Sequence, residues 1–153
     1  MKRLLKIVVV VTAVCAAVWG AGLYLARRLE DGRGYSDADD FRVAAVWGGR
    51  EFESTAAALR RGWARAVLGG VALDLREATL DPGGADVELH ASMGGIALMV
   101  PPHWRVLVDR KVEGGEIQVR VPDPSSLPAD APELRVSASA RNAGIVVSSG
   151  EDA

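Results

Sequence analysis

A glycine pair that recurs at near-regular spacing is the feature of the sequence that most constrains its fold. Four pairs end at Gly49, Gly70, Gly95 and Gly115, and Gly144, preceded by alanine, closes a degraded fifth copy. The steps between these positions are 21, 25, 20 and 29 residues. Self-similarity at such a period is typical of stacked repeats, in which each unit buries its apolar face against its neighbours. The sequence therefore predicts one domain made of successive copies of one unit.

Each copy has the alternation of a β-strand on both sides of its glycine pair. In residues 68–76, Val71, Leu73 and Leu75 alternate with smaller or charged residues, so one face is apolar. Before the third pair and after the fourth, the residues predicted to face inward are Val87, Leu89, Ala91, Met93, Ile117, Val119 and Val121. Glycine lacks a Cβ and adopts positive φ readily, so each pair is predicted to turn a corner between two strands.

These patterns predict an all-β fold of stacked strand repeats with Gly-Gly corners, similar to a β-helix, preceded by one transmembrane helix. The glycines to which we assign a structural role are Gly69, Gly70, Gly94, Gly95, Gly114 and Gly115. Because crowding or positive φ is expected at the corners, Gly70→Val and Gly95→Val are predicted to destabilise the domain. Residues 53–61 are predicted to form a further strand, although the alanines at 56–58 favour a helix.

Other segments are predicted to form a buried strand, a long loop and a structural pair of charged residues. Residues 96–100 are continuously apolar, which predicts a strand covered on both faces, and Pro101 ends it. Residues 122–132 hold four prolines and are predicted to form a long loop. Asp74 and Arg76 face outward beside Leu75, where they either pair with each other or brace an adjacent repeat.

The N-terminal part of the chain resembles a membrane anchor. Residues 7–26 form an uncharged and mostly apolar run, long enough to span a bilayer as a helix, with basic residues on both sides. A cleaved signal peptide is the alternative, but Tyr24 is bulky where cleavage sites favour small residues. The basic flank and α-amino group at the N-terminus favour an extracytoplasmic domain. We divide the chain into an anchor (1–29), a polar linker (30–40), the β-repeat domain (41–149) and a disordered tail (150–153).

Charge and cysteine content exclude several functions. The net charge is −2, and residues 1–33 hold six basic and two acidic side chains, so the remainder carries −6. An acidic domain without a basic stripe is a poor nucleic-acid binder, because phosphate neutralisation supplies most of that affinity. The single cysteine, Cys15, lies in the apolar run, so an intramolecular disulfide and a zinc site based on cysteine are both excluded.

The inventory of reactive side chains predicts no catalytic, metal-binding or cofactor-binding residue. His90 is placed on an outward strand face and His103 in a proline-bounded corner. For each histidine, a surface or corner role is favoured over that of a general base or a metal ligand. Asp109 and Glu113 share one side of a strand, where a carboxylate pair is conceivable but a solvated face is favoured. Trp47, Trp63 and Trp104 form either an aromatic platform for a partner or large closing residues of the core. Met93 and Met99 are predicted to fill the core.

Several of these residues together resemble a known family. The run from Gly69 through Asp74, Leu75 and Arg76 is followed by Gly94-Gly95-Ile96, Val100-Pro101, Trp104 and Gly114-Gly115. This series is similar to the C-terminal domain of LiaF-like proteins, the bacterial cell-wall-active antibiotic response family, over most of residues 41–149. The resemblance implies a β-rich "toastrack" domain, no catalysis, and regulation of envelope stress through a membrane sensor kinase. The multi-span regulators of that family carry the domain in the cytoplasm, whereas this chain has one apolar run.

These observations predict a single-pass membrane protein that works by binding. Its expected partner is another membrane or envelope protein, contacted through a strand edge or a tryptophan-bearing corner. Exposed strand edges also make a homo-oligomer plausible. A scaffold that polymerises edge to edge is the first alternative, and an unrecognised enzyme is the second.

Overall fold

The computed structural model describes residues 36–150, which form eight strands and one short 3₁₀ turn. The predicted anchor, most of the predicted linker and residues 151–153 lie outside the described residues. Within residues 36–150, no helix has the length and apolar character needed to cross a membrane. The strands are β1 (Asp40–Val46), β2 (Gly49–Glu53), β3 (Arg61–Val67), β4 (Gly70–Asp74), β5 (Ala85–Ser92), β6 (Gly95–Val100), β7 (Arg105–Arg120) and β8 (Glu133–Ser149); the 3₁₀ turn is Pro124–Ser126.

The strands are arranged in five rungs, and every pairing between rungs is parallel. The first three rungs each contain two strands joined at a corner: β1 with β2, β3 with β4, and β5 with β6. The long strands β7 and β8 each form a whole rung, and they bend at the same corner. The strands form one eight-stranded sheet, in the order β1-β3-β5-β8-β6-β4-β2 with β7 on β8, which folds back on itself at the corner. We call the part before the corner the first sheet and the part after it the second sheet. The all-β prediction is confirmed.

The rungs do not stack in the order of the chain. The third rung pairs with β8, and among the described strands β7 pairs only with β8, so the last rung of the sequence lies between the third and fourth. β8 suits this internal place because its inward residues are apolar and buried along its length. β7 is exposed from Asp109 through Glu116, and it carries Arg110 at an inward position, beside Ala138 of β8. An arginine there is tolerated only at the end of the stack, where it reaches water.

Inward residues form columns that run through the stack and fill the space between the sheets. Residues that pair across successive rungs include an alanine column near the corner, made of Ala45, Ala66, Ala91 and Ala140. Small side chains suit this position because the two sheets converge where the strands bend. Towards the other side, the ring of Phe41 occupies the space that a side chain on Gly62 would take. Trp104 is buried at the turn between β6 and β7.

The prediction of a strand over residues 53–61 is wrong. β2 ends at Glu53, and the next strand begins at Arg61. The segment between them is a loop in which Ala56 and Leu59 are buried, and Leu59 makes only an isolated parallel bridge to Leu80. Ala56 and Leu59 therefore close the side of the core opposite the corner. The predicted loop over residues 122–132 is confirmed, with the 3₁₀ turn within it.

Candidate binding surfaces

Each corner is built from one residue in the left-handed conformation and the residue that follows it. The register aligns Trp47, Leu68, Met93, Asn142 and Gly114 at the first of these places. Their φ values are 57°, 53°, 51°, 47° and 89°. Because the residue at the first place is left-handed, the chain bends there and a strand of the first sheet continues into the second. The fourth glycine pair therefore lies one residue earlier in the rung than the others, as the shifted apolar pattern after it indicates.

The second corner place admits no side chain in most rungs. A Cβ on Gly69 would overlap the carbonyl oxygen of Gly48, and a Cβ on Gly94 would overlap that of Gly69. The carbonyl is held there because it accepts a hydrogen bond from the next rung, as in Gly70 N to Gly48 O at 2.8 Å. At Gly69, Gly94 and Gly115, backbone therefore stacks directly on backbone, whereas β8 carries Ala143 at the same place.

The prediction that Gly70 and Gly95 are strained or crowded is wrong. Neither has positive φ, and a Cβ on Gly70 would lie 4.0 Å from the Gly95 carbonyl oxygen, which is ordinary contact. A Cβ on Gly95 would lie 3.7 Å from the Gly144 carbonyl oxygen. The glycine that the fold requires is the one at the second corner place, which is the first of the pair at Gly69 and Gly94 and the second of the pair at Gly115, because that residue faces the carbonyl of the neighbouring rung.

Three large apolar side chains occupy the first corner place of the first three rungs, and we name Trp47, Leu68 and Met93 the corner ridge. Their exposed fractions are 50%, 47% and 55%. A left-handed conformation costs a residue with a Cβ about 1–2 kcal/mol, and glycine and asparagine tolerate it best. The other two rungs carry those tolerant residues, Asn142 and Gly114. The prediction that Met93 fills the core is wrong, because the corner reverses the alternation that placed it inward.

The three tryptophans that the sequence singled out do not form one platform. Trp47 is exposed on the corner ridge, and Trp104 is buried in the core. Trp63 lies on the outer face of the first sheet, with the guanidinium of Arg42 5.3 Å from its ring centre and the ring of His90 at 6.3 Å. Leu68 and Met93 were missed as surface residues, although each precedes a glycine pair as Trp47 does.

The outer side of β7 is a second exposed surface, which we name the open edge. Fifteen of its sixteen residues pair with β8, and within residues 36–150 no strand pairs with the other side of β7. The Arg105 amide donates to the Pro132 carbonyl on the β8 side, at 2.8 Å, so alternation directs the amide of Arg110 away from β8. Beside this edge lies a groove of about 780 Å³, and its lining includes Val106, Val108, Val119 and Val121.

The outer face of the second sheet is flat and carries few side chains beside the corner. Gly49, Gly70, Gly95 and Gly144 align there, and a shallow depression of about 770 Å³ includes them together with Ala72, Ala97 and Val146. The prediction that residues 96–100 are covered on both faces is wrong for this part of the structure, because Ala97 is exposed.

Ion pairs on the outer faces account for most of the shifted pKa values. Arg76 binds the Asp74 carboxylate at 2.6 Å, and its hydrogen bond lowers the pKa of Asp74, so the two residues pair with each other. Arg135 lies 2.7 Å from Asp86 on the neighbouring strand and lowers the pKa of that carboxyl in the same way. Glu113 contacts Arg141 and Lys111, whose hydrogen bonds lower its pKa. These pairs join residues within or between rungs, as structural contacts do.

The described residues assemble no recognisable reaction centre. Within residues 36–150, no three His, Cys, Asp or Glu side chains are grouped to hold a metal ion. His90 lies 3.6 Å from Glu88 on an outer face, and His103 is in the exposed turn before β7. Comparisons with protein-family models, with curated proteins and with solved structures found no match.

Proposed function

We propose that this chain is a membrane-anchored, non-catalytic binding protein that regulates a bacterial envelope stress response by contacting a membrane sensor or another envelope protein. Three features support the proposal: the apolar run over residues 7–26, the motif resemblance to LiaF-like domains, and a β domain whose surfaces suit binding. The apolar run is the single-pass anchor, and the domain lies on the extracytoplasmic side. No cofactor or metal is required.

The open edge is the observation that carries this proposal. A strand that pairs on one side leaves a row of amide and carbonyl groups ready to accept another strand. Partners that add a strand gain affinity from these main-chain bonds and specificity from alternate side-chain pockets. Here Val108, Val119 and Val121 are partly buried against the core, line the groove beside the edge and supply apolar contacts. We assign the open edge to an extended segment of the partner protein.

The test compares two substitutions at Arg110 in the full chain. Arg110→Pro removes an amide that points away from β8, so strand addition is blocked while the β7–β8 ladder is kept. Arg110→Ala removes the same side chain and keeps the amide. In cells that carry a reporter for cell-wall antibiotic stress, Arg110→Pro is expected to lose regulation, as a deletion of the chain does, and Arg110→Ala to retain it.

A photo-crosslinking residue at Lys111 identifies the partner in the same cells. The expected adduct contains a membrane or envelope protein, and Arg110→Pro abolishes it. Normal regulation and an unchanged adduct in both Arg110 variants would contradict strand addition at the open edge. Equal loss in both variants would assign the effect to the side chain.

Self-assembly is the alternative that a specific observation favours, because the stack has two open ends. Within residues 36–150, β1 and β2 also pair on one side only, so the first rung of one copy and β7 of another offer parallel edges. Light scattering on the detergent-solubilised full chain separates the two functions. A mass that grows with concentration supports the scaffold, and a constant monomer mass excludes it.

A further inference from the structure

The residues of the corner ridge lower the stability of the fold, because they adopt an unfavourable backbone conformation. Leu68 and Met93 adopt a conformation that favours glycine or asparagine, and about half of each side chain stays in water. The same corner is made by Asn142 and Gly114 without a large apolar group. Strain that the local fold does not require is a reason to look for a function of the strained residues.

The ridge has the shape of a membrane contact. Adjacent rungs lie about 4.8 Å apart, so the three side chains form a line about 10 Å long at the outermost point of the corner. Val46 and Val67 are half-buried beside it and extend its apolar surface. Tryptophan at one end of the line suits the boundary between headgroups and acyl chains, where an indole has both apolar and polar surroundings.

We propose that the corner ridge inserts into the surface of the bilayer that anchors the chain, and so fixes the orientation of the domain. This inference rests on the anchor in the proposed function. A protein partner is less suited to the ridge, because a stable interface buries about 800 Å² on each side and the ridge is a narrow line. Arg65, three residues before Leu68 and exposed on the outer face, forms no ion pair within the described part of the chain and can approach lipid phosphates.

The length of the chain before the domain allows this contact. From the end of the apolar run to the start of β1, residues 27–39 reach up to about 45 Å when extended. β1 has seven residues and carries the corner about 23 Å from the point where the chain enters the first rung. The domain can therefore lie on its corner beside the anchor.

The ridge is expected to bind only because the chain is tethered. Burying the exposed halves of three side chains gives an affinity on the order of a millimolar, too weak to recruit a free domain. A short tether supplies an effective concentration on the order of a millimolar, so the docked state is populated and remains reversible.

The test places one fluorescent label in the full chain, in proteoliposomes of equal parts phosphatidylcholine and phosphatidylglycerol. Cys15→Ala removes the only cysteine, and Met93→Cys or Val112→Cys carries an environment-sensitive dye. Val112 is the matched control, because it is 47% exposed and lies on the end rung. Spin-labelled lipids are expected to quench the dye at position 93 at least about twofold more than at position 112, with a blue shift at position 93 only.

Two further substitutions separate docking from folding. Leu68→Asn, in the label background, is expected to lose the extra quenching while the thermal midpoint stays equal or rises, because asparagine tolerates the left-handed backbone. Asn142→Leu extends the ridge by one rung and is expected to increase the quenching. The dye could be quenched equally at positions 93 and 112 while alkaline carbonate fails to extract the chain from the membrane. That result would contradict docking of the corner ridge and leave the anchor intact. Release by carbonate would overturn the anchor as well.

Discussion

At the scale of single residues, the corner places different requirements on its first and second residues. The first residue must accept a left-handed backbone, and at Gly69, Gly94 and Gly115 the second must lack a side chain because a carbonyl of the next rung lies against it. The glycine pairs in the sequence correctly indicated corners. They did not indicate which glycine is required, because the obstructing atom belongs to a residue about 21–25 positions away. That information lies in the register between rungs.

Exchanging adjacent glycines for alanine tests this assignment. Gly69→Ala and Gly94→Ala are expected to lower the free energy of unfolding by about 1–3 kcal/mol, because the added methyl overlaps a backbone carbonyl. Gly70→Ala is the matched control and is expected to be neutral or to stabilise by less than about 1 kcal/mol, since it only restricts the unfolded chain. Denaturant titration of the four proteins measures both effects. A larger loss of unfolding free energy for Gly70→Ala than for Gly69→Ala would contradict the assignment, because the obstructed residue would then be Gly70.

At the scale of elements, the alternation in the sequence predicts strands but not their neighbours. All five copies present an apolar face, so each is a candidate for any place in the stack. The decisive residue is Arg110, which occupies an inward position in β7 and needs access to water. That single charge was the available signal that β7 ends the stack. Residues 53–61 were misassigned because a short apolar segment is equally suited to a strand and to a buried loop.

The insertion of β8 makes two rungs depend on one strand. β7 pairs with β8 alone, so deletion of residues 133–153 is expected to release β7 and to expose the third rung as a new edge. Hydrogen exchange on the truncated chain should show lost protection throughout residues 105–120. Deletion of residues 151–153 is the control and should leave protection unchanged. Protected amides in β7 without β8 would contradict the stacking order.

At the scale of the whole molecule, the structure separates three surfaces on one small stack. The open edge lies at one end, the corner ridge runs along one side, and the chain enters at the first rung, away from the open edge. Trp47 was identifiable from the sequence as a surface candidate. Leu68 and Met93 were not, because an alternating pattern places them inward until the corner reverses it. The assignment of roles to these surfaces follows from their exposure and chemistry.

The central claim is that this domain works at a membrane to which its own N-terminus anchors it. Protease treatment of intact cells and of inverted vesicles that carry a C-terminally tagged full chain tests that claim most directly. Without protease, we expect the tag in the membrane fraction. With protease, we expect the tag to be removed from intact cells. A tag recovered in the soluble fraction would contradict the anchor, and removal only from inverted vesicles would contradict the extracytoplasmic location.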